Sequence, residues 1–250
     1  MKRILAVALF LACPWIGSAQ NAPVRVFASN GVKAALEALK AGVEQAAGHP
    51  LNIVYGASGG LKGQIAAGEA FDLAILTPEA TGDLTHAGKI AAGTAADLAR
   101  TGVGFGIRTG AARPDVSTPD AVKQTLLKAN SIAIVKEGAS RVVIDKMFER
   151  LGIAQAMAAK TIPENGTADC GESVAQGRSE MEIVPLSEVP LIAGVQILGP
   201  LPGDLQSYLY FQASIGADAK EPAAAKKAIQ YLTSAAAVPV FKAKGMEAGR

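Results

Sequence analysis

The sequence predicts an α/β protein of two lobes, with a mixed sheet in each lobe and two strands between them as a hinge. Three observations carry that expectation. Strand, small polar turn and helix follow one another at Val24 to Leu39, again at Asn52 to Ile65, and a third time from Ser131 to Leu151. Repeated units of this kind give parallel strands with right-handed crossovers. Two stretches, TGVGFGIRTG from Thr101 and SYLYFQASIG from Ser207, read as an outward and a return crossing. Finally, 250 residues exceed one typical domain and suit two lobes.

The first residues stand apart from the fold. Lys2 and Arg3 precede an apolar run from Ile4 to Leu11, and Gly17-Ser18-Ala19 supplies the small residues of a cleavage site. Residues 1–19 are therefore expected to be a signal peptide, cut after Ala19, with export to the periplasm. The run is too short for a membrane span and is broken by Pro14. The remainder divides into a discontinuous first lobe, residues 23–102 plus 206–250, and a second lobe, residues 103–205.

Composition excludes several classes of function. Of 24 basic residues two leave with the leader, so 22 basic face 22 acidic ones and the mature chain is formally neutral. With no basic run interleaved with aromatics, nucleic acid is not an expected partner. Cys13 leaves with the leader and Cys170 remains alone, which rules out an intrachain disulfide and suggests a structural thiol. His49 and His86 are too few for a histidine metal cluster, so neither metal nor cofactor is expected. Trp15 departs too, and four tyrosines leave little of the stacking surface that sugar sites use.

Each element has a local reason. Val24, Val26 and Ala28 alternate as in a strand, while Val32, Leu36 and Leu39 recur at helical spacing, so the period changes at Ser29-Asn30-Gly31. Small polar residues there satisfy, or leave facing a ligand, the backbone N–H groups that open a helix, where the dipole favours an anion. The strand LNIVYG then meets Ala57-Ser58-Gly59-Gly60, and the buried strand FDLAIL from Phe71 meets Thr77-Pro78, with proline at the first helical position. Ligands of such sheets sit beyond the carboxyl ends of the strands, which is where Ser29, Ser58 and Thr77 fall. In the second lobe a helix starts at Thr118-Pro119, SIAIV from Ser131 is a strand, and a helix with Val143, Met147, Phe148 and Leu151 on one face follows Lys136 to Arg141. Residues 161–177 read as a loop and a short helix, MEIVPL from Met181 as a strand, and the C-terminal residues from Glu221 as two helices. Tyr208 and Tyr210 are expected to pack in the hinge, Lys62 to be a surface lysine and Thr77 a helix cap.

Taken in order, VFASNGVKAALEAL, SGGLKGQIAAGEAFDLAILTP, GVGFGIRTGAARPDVSTPDAVKQTLLKANSIA, GVQILGPLPGDLQ and AAAKKAIQYLTSAAAVPVFKAKGMEAG resemble the type II periplasmic substrate-binding proteins, in the branch similar to molybdate-binding proteins. The resemblance covers nearly the whole mature chain. It implies a monomeric binding protein that captures a small anion between its lobes and delivers it to an inner-membrane ABC permease. It also implies oxyanion contacts from Ser29 and Ser58, and backbone contacts at Ala139 and Ser140; Asn30, Gly59 and Thr77 complete the expected first-lobe seats. The chain differs from the molybdate binders in carrying Pro185 where they have tyrosine, Leu76-Thr77-Pro78 where they have an acidic ending, and Arg141 where a small residue is usual. An arginine there suits a carboxylate, which its planar fork grips in bidentate fashion; the plainer reading is a pair with Asp145 one turn on. The branch also resembles aconitate isomerase, a cofactor-free enzyme, in which case Glu137 or Glu188 is the candidate base and Arg141 the clamp.

Overall fold

The computed structural model describes residues 21–136 and 139–249. The expected signal peptide, residues 1–19, lies outside the described residues, as does Glu137. Among the described residues no helix is long and apolar enough to cross a membrane.

The first lobe begins with β1 (Val24–Ser29), a single 3-10 turn at Asn30–Val32, and α1 (Lys33–Ala47), followed by β2 (Leu51–Gly56), α2 (Ser58–Ala66), β3 (Leu73–Leu76) and α3 (Pro78–His86). β1 pairs in parallel with β2 on one side and β3 on the other. Both faces of this sheet are covered. Val24, Val26 and Ala28 point to one core with Leu36, Leu39 and Val43 of α1, while Phe27 points to the other with Leu61, Ile65 and Leu84. That double burial makes β1 apolar between Arg25, whose guanidinium reaches Glu69 at the surface, and Ser29 at its end.

β4 (Ala96–Arg108) is the longest strand and serves both lobes. Its first half pairs antiparallel with β9 (Tyr208–Ile215), which in turn pairs antiparallel with β3. Its second half pairs antiparallel with β7 (Met181–Pro185) and β8 (Val195–Pro200). In the second lobe β5 (Ile132–Val135) lies parallel to both β7 and β6 (Thr161–Glu164). Val103, Phe105, Ile132 and Ile134 form one core with α4 (Pro119–Lys128) and α5 (Ala139–Arg150), and Ala133, Val135 and Val184 form another with α7 (Thr167–Ala175). Between α5 and β6 lies the short α6 (Ala154–Ala158). α8 (Pro222–Leu232) and α9 (Val238–Ala243) return to the first lobe, where Ala225, Leu232 and Phe241 join the core over β1.

Three elements depart from the sequence reading. β6 stands where a loop was expected, α6 was not anticipated, and β10 (Met246–Ala248) adds a final strand beside β4. Tyr210 does not pack in the hinge: it is 50% exposed. Tyr208 lies at the hinge, opposite Gly102, and its ring takes the Arg100 guanidinium 4.0 Å from the centroid, with Tyr210 at 6.0 Å and Glu247 accepting from Arg100 Nε at 2.9 Å. Cys170 is fully buried, and its thiol is pushed well above the ordinary range by that burial and by Glu182.

Candidate functional site

Strand register fixes where the two lobes present their helix starts. β3 runs antiparallel to β9 with Leu76 opposite Gln212, so its carboxyl end points toward Tyr208, the end of β9 nearest the second lobe. β7 runs antiparallel to β4 with Pro185 opposite Val103, so its carboxyl end points toward the first lobe, and parallel β5 and β6 follow it. The carboxyl ends of three parallel strands in each lobe thus point toward one another, those of the first lobe ending level with Asp97 of β4 and those of the second near Val103. A ligand between the lobes would face the residues that follow each of them.

In the first lobe these are the expected seats. Ser29 ends β1 with 7% exposure and extended backbone, and its hydroxyl makes no capping bond to the turn it precedes. The hydroxyl is therefore not consumed by the helix it introduces. Asn30, next in line, is exposed. Ser58 is the first residue of α2 and Ala57 its N-cap. Its Oγ accepts from the Thr77 backbone N–H at 3.2 Å, which joins the second seat to the third. Gly59 is exposed, with nothing within 4 Å of where a Cβ would stand, so the opening of α2 is unobstructed. Thr77 is the N-cap of α3, as expected, but its side chain makes no capping bond. No charged side chain belongs to these seats; Lys62 is held by Asp83 at 2.7 Å farther along α2.

In the second lobe α5 opens at Ala139, and Ser140 is 5% exposed. Arg141 follows on the first turn. Its Nε donates to both oxygens of Asp145, at 2.8 and 2.9 Å, while its two Nη atoms have no partner among the described residues. The plainer reading of Arg141 thus describes the Nε edge of the guanidinium, while the other edge meets none of the described residues.

The structure adds two residues that the sequence reading did not join to the site, Thr167 and Ser187, and places Glu188, the candidate base, beside them. α7 begins at Thr167 directly beyond β6, and because β6 was read as a loop, this helix start was not placed. Glu188, beyond β7, lies beside the Thr167 side chain; burial raises its carboxyl above the usual carboxylate range and the neighbouring hydroxyl partly offsets the rise. Ser187 beside it is 1% exposed with no partner for Oγ, although its backbone N–H donates to Thr101 Oγ1 at 3.1 Å. A glycine before threonine at 166–167, followed by Asp169 in the first turn, was the available signal.

Neutral hydroxyls and helix-opening amides stand on one side, with a helix start and an arginine edge on the other, and groups of this kind favour negative charge. Over residues 24–247 the chain matches the bacterial extracellular solute-binding proteins, and it belongs to that family. It is 27% identical over 251 residues to the aconitate isomerase of a Pseudomonas species, covering 97% of this chain and 94% of that protein. It is 28% identical over 250 residues to the molybdate-binding protein of Azotobacter vinelandii, covering 96% of each. Among solved structures it is similar to the substrate-binding domain of a molybdenum ABC transporter from Clostridium difficile, with a TM-score of 0.75 at 18% identity over 92% of this chain and 100% of that one. The A. vinelandii protein gives 0.71 at 20% identity, over 91% and 100%. The structural likeness establishes the two-lobed periplasmic-binding-protein fold, and the family defines the chain as a solute-binding protein.

Proposed function

We propose that the chain is exported to the periplasm and captures one small anion between its lobes for an inner-membrane ABC permease. We divide those lobes at 102/103 and 205/206. The observation that carries the reading is Ser29, a nearly buried hydroxyl free of helix-capping duty at the carboxyl end of β1. Ser58 supports it from the next strand, and Ser140 with Arg141 supports it from the facing lobe. Closure of the lobes would exclude water and strengthen every hydrogen bond to the anion. Arg141 favours an organic carboxylate, because its open Nη edge is the half of the fork that a carboxylate can grip. The named relatives support both ligand chemistries, a tricarboxylate through the aconitate isomerase and an oxyanion through the molybdate binder.

Thermal unfolding against molybdate, tungstate, sulfate, phosphate and di- and tricarboxylates tests the reading, since a ligand of the folded form raises the midpoint by mass action. A shift with a carboxylate alone is expected. A shift with molybdate or tungstate alone would overturn the carboxylate assignment, and no shift with any member would overturn anion capture.

Glu188 favours a second reading, a cofactor-free isomerase of a tricarboxylate. A carboxyl group whose proton affinity is raised by burial, set beside the start of α7, is suited to moving a proton from a carbon made acidic by clamped carboxylates. NMR of the protein with each aconitate isomer tests it: interconversion that Glu188→Gln abolishes supports the enzyme, and unchanged spectra over days exclude it.

A further inference from the structure

At the hinge a single side chain bridges two ladders of the sheet. The β4–β9 ladder ends at Gly102 opposite Tyr208, and the β4–β8 ladder begins at Gly104 opposite Pro200. Val103 falls between those two ladders, pairing with Pro185 of β7 on its other edge and accepting from Leu201 N–H at 3.0 Å. There the primary amide of Gln206 behaves as a peptide group would. Its Oε1 accepts from Val103 N–H at 2.9 Å and from Ser207 N–H at 3.0 Å, and its Nε2 donates to Val103 O at 2.9 Å and to Leu201 O at 3.1 Å. Both donors and both acceptor positions are used. Residue 102 is a glycine because the amide occupies its side-chain space: a Cβ there would stand 2.8 Å from Nε2 and 2.9 Å from Cδ.

Around this amide the hinge is hollow. A groove of about 1150 Å³ lies to one side, between Arg113 and Ile197 of the second lobe and Lys242 and Met246 of the first. A groove of about 880 Å³ lies to the other, between Val142 and Lys146 of α5 and Leu209 of β9. Gln206 lines both. Alongside the backbone bonds from Leu201 N–H to Val103 O and from Leu186 N–H to Gly102 O, the four bonds of this one amide tie the chain on either side of the crossing to a single geometry. A polar network so fully satisfied specifies one arrangement where an apolar contact would allow several.

We propose that Gln206 is a positioning residue for ligand capture: its amide is the pivot that holds the two lobes at the angle from which they close. The part concerning capture rests on the solute-binding reading; the part concerning interlobe geometry does not. Gln206 touches no ligand seat, so its effect on affinity would come through the fraction of molecules whose lobes are correctly set, and apparent affinity falls in proportion to that fraction.

The test places spin labels at Ala38→Cys on α1 and Lys128→Cys on α4, both exposed, and leaves Cys170 buried and unlabelled. Distance distributions are measured in the full chain with Gln206, Gln206→Leu and Gln206→Glu. Gln206→Glu keeps the acceptor and loses the donors, so it remains usable where Gln206→Leu fails to fold. The expected result is a single narrow distribution for the parent and a broadened one for each variant, widest for Gln206→Leu. The anion that stabilises the parent should bind at least about tenfold more weakly to Gln206→Leu, which corresponds to a correctly set fraction near one tenth. Leu126→Ala, in the second-lobe core, should lose thermal stability without broadening the distribution or weakening binding. Parent-like widths in both Gln206 variants, or affinities within about twofold of the parent, would overturn the proposal. If no anion binds the parent, the solute-binding reading fails, and the widths alone still decide whether Gln206 sets the hinge.

Discussion

Glu182, in the middle of β7, lies wholly buried against Gly106 of β4, where a Cβ would come within 2.4 Å of the Glu182 Oε1. Neither carboxylate oxygen has a partner among the described residues. An ionised group there gives up its hydration and receives nothing in return. Burial, reinforced by the negative charge of Glu188, pushes the carboxyl from 4.5 up to about 8.

This sets a slope of stability with pH. Between 4.5 and about 8 the folded chain holds a proton at Glu182 that the unfolded chain has released. Stability from this group is therefore full below the unfolded pKa and is lost as pH rises through the folded one. Glu182→Gln removes the titration while keeping the shape, so the variant should gain stability over the parent by a few kcal/mol above pH 8 and show a flatter profile. Denaturant unfolding across pH 4 to 9 measures it, and a parent-sized slope in the variant would show that the acid is not the source. Gly106→Ala should cost about 1–3 kcal/mol through overpacking, and much less when Glu182 is also Ala.

Ser29 and Ser58 predict different signatures although both are serines at helix starts. Ser29 makes no capping bond, so Ser29→Ala should leave the midpoint of the unliganded protein almost unchanged. Ser58 accepts from Thr77 N–H, and Ser58→Ala removes that partner at a cost of about 1 kcal/mol. Both variants should weaken binding of the anion that stabilises the parent, each by roughly 1 kcal/mol, or about fivefold. Calorimetric titration reads the affinities. A Ser29→Ala protein with parent affinity would remove the first seat from the site.

Much of this architecture is legible in the chain because its signals are local. The change of period at Ser29 to Gly31, the proline after Thr77 and the proline after Thr118 each mark a helix start within a few residues, and α1, α3 and α4 follow. What was missed depends on partners distant in sequence. β6 carries Pro163, which removes a backbone donor, and it persists because it is an edge strand paired only with β5. β10 is three residues long and exists through its antiparallel pairing to β4 nearly 150 residues away. Tyr210 reads as an apolar strand residue, yet it faces outward on β9 toward Arg100. Within the proposed site, the first-lobe seats were legible as helix starts and Glu188 as a candidate base, whereas Thr167 required β6 and the fold around it.

Arg141 and Asp145 separate a surface pair from a ligand clamp. An exposed pair one helical turn apart contributes about 0.3–0.5 kcal/mol, so Arg141→Ala and Asp145→Ala should each change the midpoint of the unliganded protein only slightly, and by similar amounts. Carboxylate affinity should divide them. Arg141→Ala should lose about tenfold or more, as expected when a charge-assisted bond to an anion is removed. Asp145→Ala frees Nε and should bind at least as well as the parent. Equal affinities in the two variants would return Arg141 to the surface.

Gly31 couples the turn that carries Ser29, the proposed first anion seat, to the hinge strand. It stands two residues after Ser29, and a Cβ there would lie 2.4 Å from Cζ of Phe211, which is itself buried on β9. The contact explains why the turn after β1 carries glycine although no left-handed backbone is required there: Gly31 is not among the positions of positive φ. Gly31→Ala must displace either the ring or the turn. Moving the ring disturbs the core that β9 shares with α1 and α8, at a cost of about 1–3 kcal/mol. Moving the turn shifts Ser29 and weakens the anion instead. Pairing Gly31→Ala with Phe211→Leu distinguishes the two routes, because the smaller side chain leaves room for the new methyl group. The double variant should recover much of the stability lost by Gly31→Ala, beyond the sum of the single effects, and should restore anion affinity to within about twofold of Phe211→Leu alone. Strict additivity in both measurements would mean that the ring and the turn do not bear on one another and that residue 31 is a glycine for another reason.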